Sequence, residues 1–306
     1  KINAQKVLDP PIPSLCQNYV PIRCNYHINN KRNIYISTFS RVIPEKQIHT
    51  IVNAMKSLDN KYILNIYGFE KKETHYQKYI RKTISNDNLT HKVNCIPIIK
   101  TLEERKMALE NTDICVNLST TFEETMGKTI LEACYWGKNV IANDWNGFSE
   151  ILPEKNLIST YWNNNDWYHT RSEDLVAKIN GIKHTNSDES LMYFQNFLEN
   201  IKNLRRDEKN NNIEKMKPIS TNKSEIRKII EKLYCPKLIK IQDIVNQPKH
   251  PYVIYLSYDA DLNYQECIAN IDKWYSENPY SVYADIAIRM IGNLKQQQIL
   301  EKEGIV

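Results

Sequence analysis

The chain has no Cys-x-x-Cys pair and no apolar run near the roughly 18 residues that a membrane-spanning helix needs. We also expect no signal peptide. Its seven cysteines are an odd number. Cys95, Cys115 and Cys134 lie in apolar segments, where a free thiol behaves as a small hydrophobic side chain. These features predict a protein without a transmembrane segment in a reducing compartment, the cytoplasm.

Two further absences limit the class of ligand. The seven histidines show no metal-ligand spacing. The net charge is only +5 and no Lys/Arg-rich face stands out, which argues against a nucleic-acid partner. The densest basic run, 202–209, also contains Asp207 and Glu208, and we interpret it as a solvated helix end or loop. A mildly basic chain still suits a phosphate-bearing ligand.

From Asn33 onward, short segments rich in β-branched and aromatic residues alternate with segments of helical spacing. Strands are predicted at 33–39, 61–67, 93–99, 113–118 and 139–142, and helices at 45–58, 74–84, 102–111 and 127–136. Gly68 is predicted to stop the second strand, and Gly137 to end the fourth helix. This alternation predicts an α/β fold, a Rossmann-like doubly wound parallel sheet with helices on both faces. Ligands of such sheets bind at the carboxyl ends of the strands.

Four regions are predicted along the chain. Pro10, Pro11 and Pro13 make 1–32 a linker or edge segment. The Rossmann-like domain covers 33–205 and ends with helices at 174–182 and 191–204. A helical linker, 206–245, holds a Lys/Asn-rich loop at 207–223 and a helix at 223–234. A small, mainly helical unit, 246–306, is predicted to contain a strand at 252–258 and helices at 264–276 and 283–303.

The segment 121–133 (TFEETMGKTILEA) follows a predicted strand and opens a predicted helix. Gly127 would let a ligand approach the backbone, and the N–H groups of the first helical turn form an anion site suited to a diphosphate. Glu132, one turn beyond Lys128, could accept two hydrogen bonds from a vicinal diol such as a ribose. Glu124, on the loop, could face a sugar hydroxyl. The alternative is an ordinary strand–loop–helix crossover with solvated acids.

A second polar segment, SRVIPEK (40–46), directly follows the first predicted strand. Arg41 and Lys46 would therefore lie at the carboxyl edge of that strand. Two cations there can neutralise a diphosphate leaving group as its charge develops, and the Arg fork grips phosphate oxygens. The alternative is two exposed cations near a helix start, a position that the helix dipole slightly disfavours.

These segments, in this order, resemble the C-terminal, donor-binding half of retaining GT-B glycosyltransferases of family 4 (glycosyl transferases group 1). The resemblance covers about residues 33–205. The matching positions are Arg41 and Lys46 after the first strand, Glu124, Gly127 and Glu132 of a Glu-x7-Glu motif, and Gly147 and Glu150 after the fifth strand.

The resemblance implies a role for each position. Arg41 and Lys46 would bind the diphosphate, Glu132 the ribose, and Glu124 the transferred sugar. The remaining donor-binding positions would be Met126, Gly127 and Lys128 through backbone N–H groups, with Ile96 and Ile98 near the base. The chain departs from the family at Met126, where a Phe is usual, and at Gly68, where a longer glycine turn is common. Glu123 adds a charge with no assigned role.

We therefore predict the donor-binding part of a glycosyltransferase that transfers a hexose from a UDP- or GDP-sugar with retention, without a metal or other cofactor. The resemblance also implies an N-terminal acceptor domain of similar size. Only residues 1–32 precede the first predicted strand, so we expect that domain in a longer protein or in a partner chain.

Three alternatives stay open. The chain could be a non-catalytic module that binds a nucleotide sugar or acts as a scaffold for a partner chain, although a scaffold has no need of both cations and both glutamates. It could belong to a viral or phage enzyme that glycosylates DNA, against which the modest charge argues. Asp259 and Asp261 follow a predicted strand and could hold Mg²⁺ or Mn²⁺ as in GT-A enzymes, although a helix cap is the favoured interpretation.

Overall fold

The computed structural model describes residues 33–121, 124, 127–162, 168–182, 187–210, 254, 264–279, 281 and 283–303. Some predictions fall outside these residues and stay predictions. They are the 1–32 segment, Met126, the loop and helix at 211–234, the remainder of the linker to 245, and Asp259 and Asp261.

One sheet of six parallel strands dominates the described structure. The strands are β1 (Ile34–Phe39), β2 (Tyr62–Phe69), β3 (Val93–Pro97), β4 (Ile114–Asn117), β5 (Asn139–Asn143) and β6 (Leu157–Ile158). Their order across the sheet is β3-β2-β1-β4-β5-β6. A separate antiparallel pair is formed by β7 (Tyr161–Trp162) and β8 (Tyr168–His169).

Helices follow the strands, as the alternating pattern predicted. They are α1 (Ile48–Met55), α2 (His75–Asn86), α3 (Leu102–Glu110), α4 (Lys128–Tyr135), α5 (Ser172–Gly181), α6 (Ser187–Asn210), α7 (Tyr264–Glu277) and α8 (Ala284–Lys302). Short 3₁₀ turns lie at Pro44–Lys46, Asn146–Glu150 and Glu154–Asn156. Parallel neighbours need such crossover connections, so the Rossmann-like α/β fold is confirmed.

The central strands carry the core. Ile34 and Ile36 of β1 and Ile114 and Val116 of β4 are fully buried. All four residues of β4 are buried, although alternate side chains point to opposite faces of the sheet. Because helices cover both faces of the sheet, side chains on both faces are buried, and the sequences of these strands are therefore continuous apolar runs.

Two elements near the carboxyl edge differ from the prediction. β2 does not stop at Gly68 but continues to Phe69, with a register shift between Tyr67 and Phe69. Gly68 has φ +131°, and a Cβ there would lie 2.0 Å from the Ser40 carbonyl oxygen, so the glycine permits a close approach of two backbones. The helix predicted at 45–58 begins only at Ile48, because Gln47 adopts a left-handed φ of +49°.

Two further predictions are contradicted at the few of their residues that the structure describes. α6 runs to Asn210 and so enters the segment predicted as a loop from 207, since Lys favours a helix and Asn weakens one without ending it. Ile254, the one described residue of the predicted strand 252–258, has helical backbone. A short apolar run cannot be assigned to strand or helix by periodicity alone.

Helix α3 begins with a capping box. The Thr101 hydroxyl accepts the Glu104 N–H at 3.1 Å, and the Glu104 carboxylate accepts the Lys100 and Thr101 N–H groups at 2.8 and 3.1 Å. These backbone hydrogen bonds lower the pKa of Glu104.

We expect Glu104→Gln to lower the melting temperature at about pH 7, with the difference fading toward about pH 4 and below. The folded-state pKa lies below the unfolded value, so the stabilisation is present above the unfolded pKa and is lost as pH falls through the folded pKa. Thermal unfolding of both proteins across this pH range measures the difference in melting temperature. Glu103→Gln, an exposed acid of the same turn outside the box, is the control; parallel pH dependence in both variants would contradict the prediction.

The chain divides into two compact units. The first takes in the described parts of Lys1–Glu73, Ile80–Thr160 and Thr170–Asn212, and the second those of Thr74–Tyr79, Tyr161–His169 and Ile213–Val306. In the second unit α7 and α8 share an apolar cluster that includes Cys267, Ile271, Trp274, Ile286, Ala287 and Leu294. This small helical unit agrees with the predicted fold class. No helix in the described part of the chain has the length and apolarity to cross a bilayer.

Candidate functional site

The strand order places a topological switch point between β1 and β4, since the chain proceeds from β1 toward one edge of the sheet and from β4 toward the other. Open α/β sheets bind ligands in the crevice at the carboxyl ends of such strands. The segment 40–47, which contains the first polar segment singled out in the sequence (40–46), leaves β1 at this edge. The segment 118–124, which contains the start of the second (121–133), leaves β4 there.

Gln47 ties these two segments together. Its Nε2 donates to the Leu118 carbonyl at 3.0 Å, and its Oε1 accepts the Thr170 N–H at 2.7 Å. The Thr120 N–H donates to the Glu45 carbonyl at 2.8 Å. The buried side-chain amide of Gln47, whose backbone is left-handed, thus links three segments of the chain by hydrogen bonds.

Lys46 and Glu124 form an ion pair in this crevice. Lys46 Nζ also donates to Ser119 Oγ at 2.9 Å, and the hydroxyl of Ser119 lies 3.3 Å from the same Glu124 oxygen. The Lys46 and Glu124 side chains are 11% and 20% exposed. The structure therefore joins one predicted cation and one predicted carboxylate, from the segments that follow two different strands, in a mostly buried cluster.

The loop that carries Glu124 is held from the β5 side. Trp145 Nε1 donates to the Thr121 carbonyl at 3.0 Å. Asn146, with a left-handed φ of +47°, donates from Nδ2 to the Glu124 carbonyl at 2.8 Å. Two side chains thus fix the backbone on both sides of Glu124.

Gly127 is the N-cap residue of helix α4, and its φ of +55° and ψ of 60° place it in the left-handed region. A Cβ there would lie 2.8 Å from a ring carbon of Phe148 and 3.0 Å from Ile130 Cδ1. Thr129 Oγ1 donates to the Phe39 carbonyl at 3.1 Å, which pins the helix start to the end of β1. The Ile130 N–H donates to the Gly127 carbonyl at 2.8 Å, whereas the Lys128 and Thr129 N–H groups have no acceptor among the described residues and are available to an anion.

Glu132 lies farther along α4 and pairs with Arg105 of α3. Arg105 donates from Nε and Nη2 to one oxygen, Glu132 Oε2, at 2.9 and 2.5 Å. Its guanidinium carbon lies 4.1 Å from the ring centroid of Phe39, which stacks on Tyr67 at 4.8 Å. Burial raises the pKa of the neighbouring Cys115 thiol to about 12, so this thiol is no nucleophile at neutral pH.

The other predicted positions are more dispersed. Arg41 is exposed, and its side chain forms no ion pair with any residue that the structure describes. Lys128 is exposed at the start of α4. Ile96 is half-buried on the edge strand β3, and Ile98, 43% exposed, follows it with its N–H donating to Phe69 at 3.1 Å.

Gly147 and Glu150 lie on the 3₁₀ turn Asn146–Glu150, where Glu150 is exposed. Among the described residues there is no group of three or more His, Cys, Asp or Glu side chains arranged to hold a metal.

Sequence reasoning missed Gln47, Ser119 and Arg105. The polar run 119–121 directly after the buried strand β4 was a usable signal for Ser119. Arg105 had none, because it sits in a helix of mixed charges where nothing in the sequence predicts its partner 27 residues away.

The fold belongs to the class of Rossmann-like α/β domains. Within that class, the chain is a member of the family Glycosyl transferases group 1, which matches residues 22–193, more than half of its length. The domain is accordingly of the GT-B type. No curated protein matches the chain.

Several solved structures are similar. Anabaena HepE in complex with UDP and glucose is 20% identical, with 56% of this chain and 43% of that chain covered and a TM-score of 0.42. Sucrose-phosphate synthase from Thermosynechococcus elongatus is 20% identical, with 56% and 41% covered and a TM-score of 0.44. The C-terminal domain of a Francisella tularensis glycosyl transferase group 1 protein is 16% identical, with 64% and 93% covered and a TM-score of 0.43. The match spans less than half of the first two structures.

Proposed function

We propose that the chain binds a nucleoside-diphosphate sugar at the carboxyl edge of β1 and β4 and forms the donor-binding half of a retaining glycosyltransferase of family 4. The observation that supports this most is the mostly buried Lys46, held against Glu124 and Ser119 at the switch point. A buried ammonium that can exchange a carboxylate for a phosphate oxygen is suited to an anionic ligand. Membership of the family makes the transferred group a sugar.

Positively charged groups stabilise the leaving diphosphate during the transfer. As the bond between the sugar C1 and the diphosphate oxygen breaks, negative charge builds on the diphosphate. Lys46, the exposed Arg41 and the backbone N–H groups of Gly127 and Lys128 at the helix start stabilise that charge. Since these groups supply the electrostatic stabilisation, we propose that no metal or other cofactor is required.

The two carboxylates recognise the rest of the donor. Once Lys46 has released it, Glu124 accepts a hydrogen bond from a hydroxyl of the transferred hexose. Glu132 accepts hydrogen bonds from the ribose hydroxyls. The base of the UDP- or GDP-sugar lies against Ile96 and Ile98 at the edge of the sheet formed by β3. The acceptor-binding site is supplied by a further domain or a partner chain. The buried free thiols of Cys115 and Cys267 are in keeping with the cytoplasmic location that we propose.

Titration with UDP and GDP, followed by thermal unfolding and calorimetry, tests the proposal. At about 100 times its dissociation constant, a ligand stabilises by about 2.7 kcal/mol, which would raise the melting temperature by roughly 5 to 10 °C. Arg41→Met should weaken binding by roughly tenfold, since it removes a charge-assisted contact to phosphate. A chelator should leave binding unchanged.

Arg81→Met is the matched control, because Arg81 is an exposed arginine on α2 that pairs with Glu73. It should bind like the unmodified chain. If neither UDP nor GDP binds at millimolar concentration, the proposal is wrong, and the result favours the interpretation of the chain as a scaffold. A strict metal requirement would instead favour Asp259 and Asp261 as metal ligands.

A further inference from the structure

Arg105 and Glu132 hold each other in one defined geometry. Both N–H donors of Arg105 converge on Oε2, and the two side chains are only 17% and 14% exposed. No described residue donates a hydrogen bond to the second oxygen, Glu132 Oε1. One carboxylate oxygen is therefore committed to the protein, and the other retains its acceptor capacity.

Arg105 is itself fixed from a second direction. Its guanidinium lies against Phe39, the last residue of β1, and the carbonyl of Phe39 accepts the Thr129 hydroxyl of α4. Arg105 thus contacts the end of β1 and, through Glu132, the helix that begins at the candidate anion site. Few rotamers of a long side chain satisfy both contacts, so the pair is preorganised before a ligand arrives.

We propose that Arg105 is a positioning residue for ribose recognition, which orients Glu132 through Oε2 so that Oε1 accepts the ribose hydroxyls of the donor. The proposal rests on the proposed function, in which Glu132 binds the ribose. It adds a residue outside the Glu-x7-Glu motif and assigns a different role to each carboxylate oxygen of Glu132: Oε2 binds Arg105 and Oε1 binds the ribose. A Glu132 side chain without Arg105 would sample several rotamers, and binding a diol would then cost the entropy of fixing it.

The test compares ribose preference with diphosphate affinity. Calorimetry on the full 306-residue chain measures binding of UDP and GDP, of their 2′,3′-dideoxy forms, and of inorganic pyrophosphate. The unmodified chain should prefer the ribose form by about tenfold or more. Glu132→Gln and Arg105→Met should each reduce that preference to about twofold, while pyrophosphate affinity stays within about twofold. Arg105→Lys, with one point charge in place of a fork, should lie between.

Lys106→Met is the matched control, because it removes one positive charge from the next position of α3, where Lys106 lies 3.9 Å from Glu103. It should keep the full ribose preference. In the double variant Arg105→Met/Glu132→Gln the ribose preference should equal that of Glu132→Gln alone. If Arg105→Met folds poorly because it leaves a buried carboxylate without its counter-ion, the double variant replaces it in the test, since it has no such carboxylate.

Other outcomes overturn the proposal. A full ribose preference in Arg105→Met would show that Arg105 only stabilises the fold. A stronger preference would show that Arg105 competes with the ribose for Glu132, and a loss of pyrophosphate affinity with unchanged preference would show that it binds the diphosphate. Absence of UDP and GDP binding to the unmodified chain would refute the proposed function itself, and the role of Arg105 with it.

Discussion

Lys46→Met is expected to weaken binding of UDP or GDP by roughly 100-fold, equivalent to about 2.7 kcal/mol. Lys46 is mostly buried, so its interaction with a phosphate is screened little by solvent. Methionine keeps the length and apolar character of the side chain but removes every hydrogen bond from Nζ, including that to Ser119. Calorimetric titration of the folded variant measures the loss.

The same substitution leaves Glu124 without its counter-ion. Glu124 is 20% exposed, so we expect a loss of only about 1 to 2 kcal/mol in the free energy of unfolding, below the values for fully buried pairs. The double variant Lys46→Met/Glu124→Gln should recover most of this stability and none of the binding. Glu124→Gln alone should bind UDP or GDP at least as tightly as the unmodified chain, because Lys46 no longer has to leave an ion pair.

Lys56→Met controls for the loss of one positive charge. Lys56 follows α1 and pairs with Asp87 at 2.7 Å, but it is 44% exposed and lies outside the crevice residues. Neither stability nor binding should change by more than about 0.5 kcal/mol. Equal losses of affinity in the two lysine variants would mean that net charge, and not a phosphate contact at Lys46, drives binding.

The fold could be predicted from sequence because its signals are local. Short apolar segments such as Ile34–Phe39 and Ile114–Asn117 alternate with helical spacing such as Ile48–Met55, and connection rules then leave few topologies. The misses have local causes too. Gly68 was interpreted as a strand stop, but its conformation serves a close backbone approach that appears only once Ser40 lies beside it.

The site could be predicted as a set of residues but not as a set of contacts. Lys46 and Glu124 were each assigned from the chemistry of the crevice, but their ion pair joins positions 78 residues apart and depends on the order of the strands. Arg105 could not be predicted as a site residue, because a helix of mixed charges gives no signal for which charge faces inward. Gln47 was missed because its left-handed backbone is set by the contacts of its amide with Leu118 and Thr170.

Gly68→Ala is expected to lower the free energy of unfolding by about 3 kcal/mol or more. The new Cβ would lie 2.0 Å from the Ser40 carbonyl oxygen and 3.1 Å from the Ser40 carbonyl carbon, and the φ of +131° is strained for any L-residue with a side chain. Both obstacles are backbone, so neither can be relieved by a rotamer change. Chemical denaturation measures the loss, with the midpoint falling and the slope unchanged.

The displacement should also reach the candidate site. Ser40 precedes Arg41, whose Cα would lie 3.6 Å from the new Cβ, so any shift that relieves the clash moves the exposed cation. Affinity for UDP or GDP should therefore fall even where Gly68→Ala is folded. Gly181→Ala is the control, since no atom of the described residues, apart from its chain neighbours and the backbone of its own helix, lies within 4 Å of a Cβ there. Its stability should change by less than about 0.5 kcal/mol. A Gly68→Ala protein as stable as Gly181→Ala would show that the backbones of β2 and the Ser40 turn are not in the close contact from which the position of Arg41 is argued.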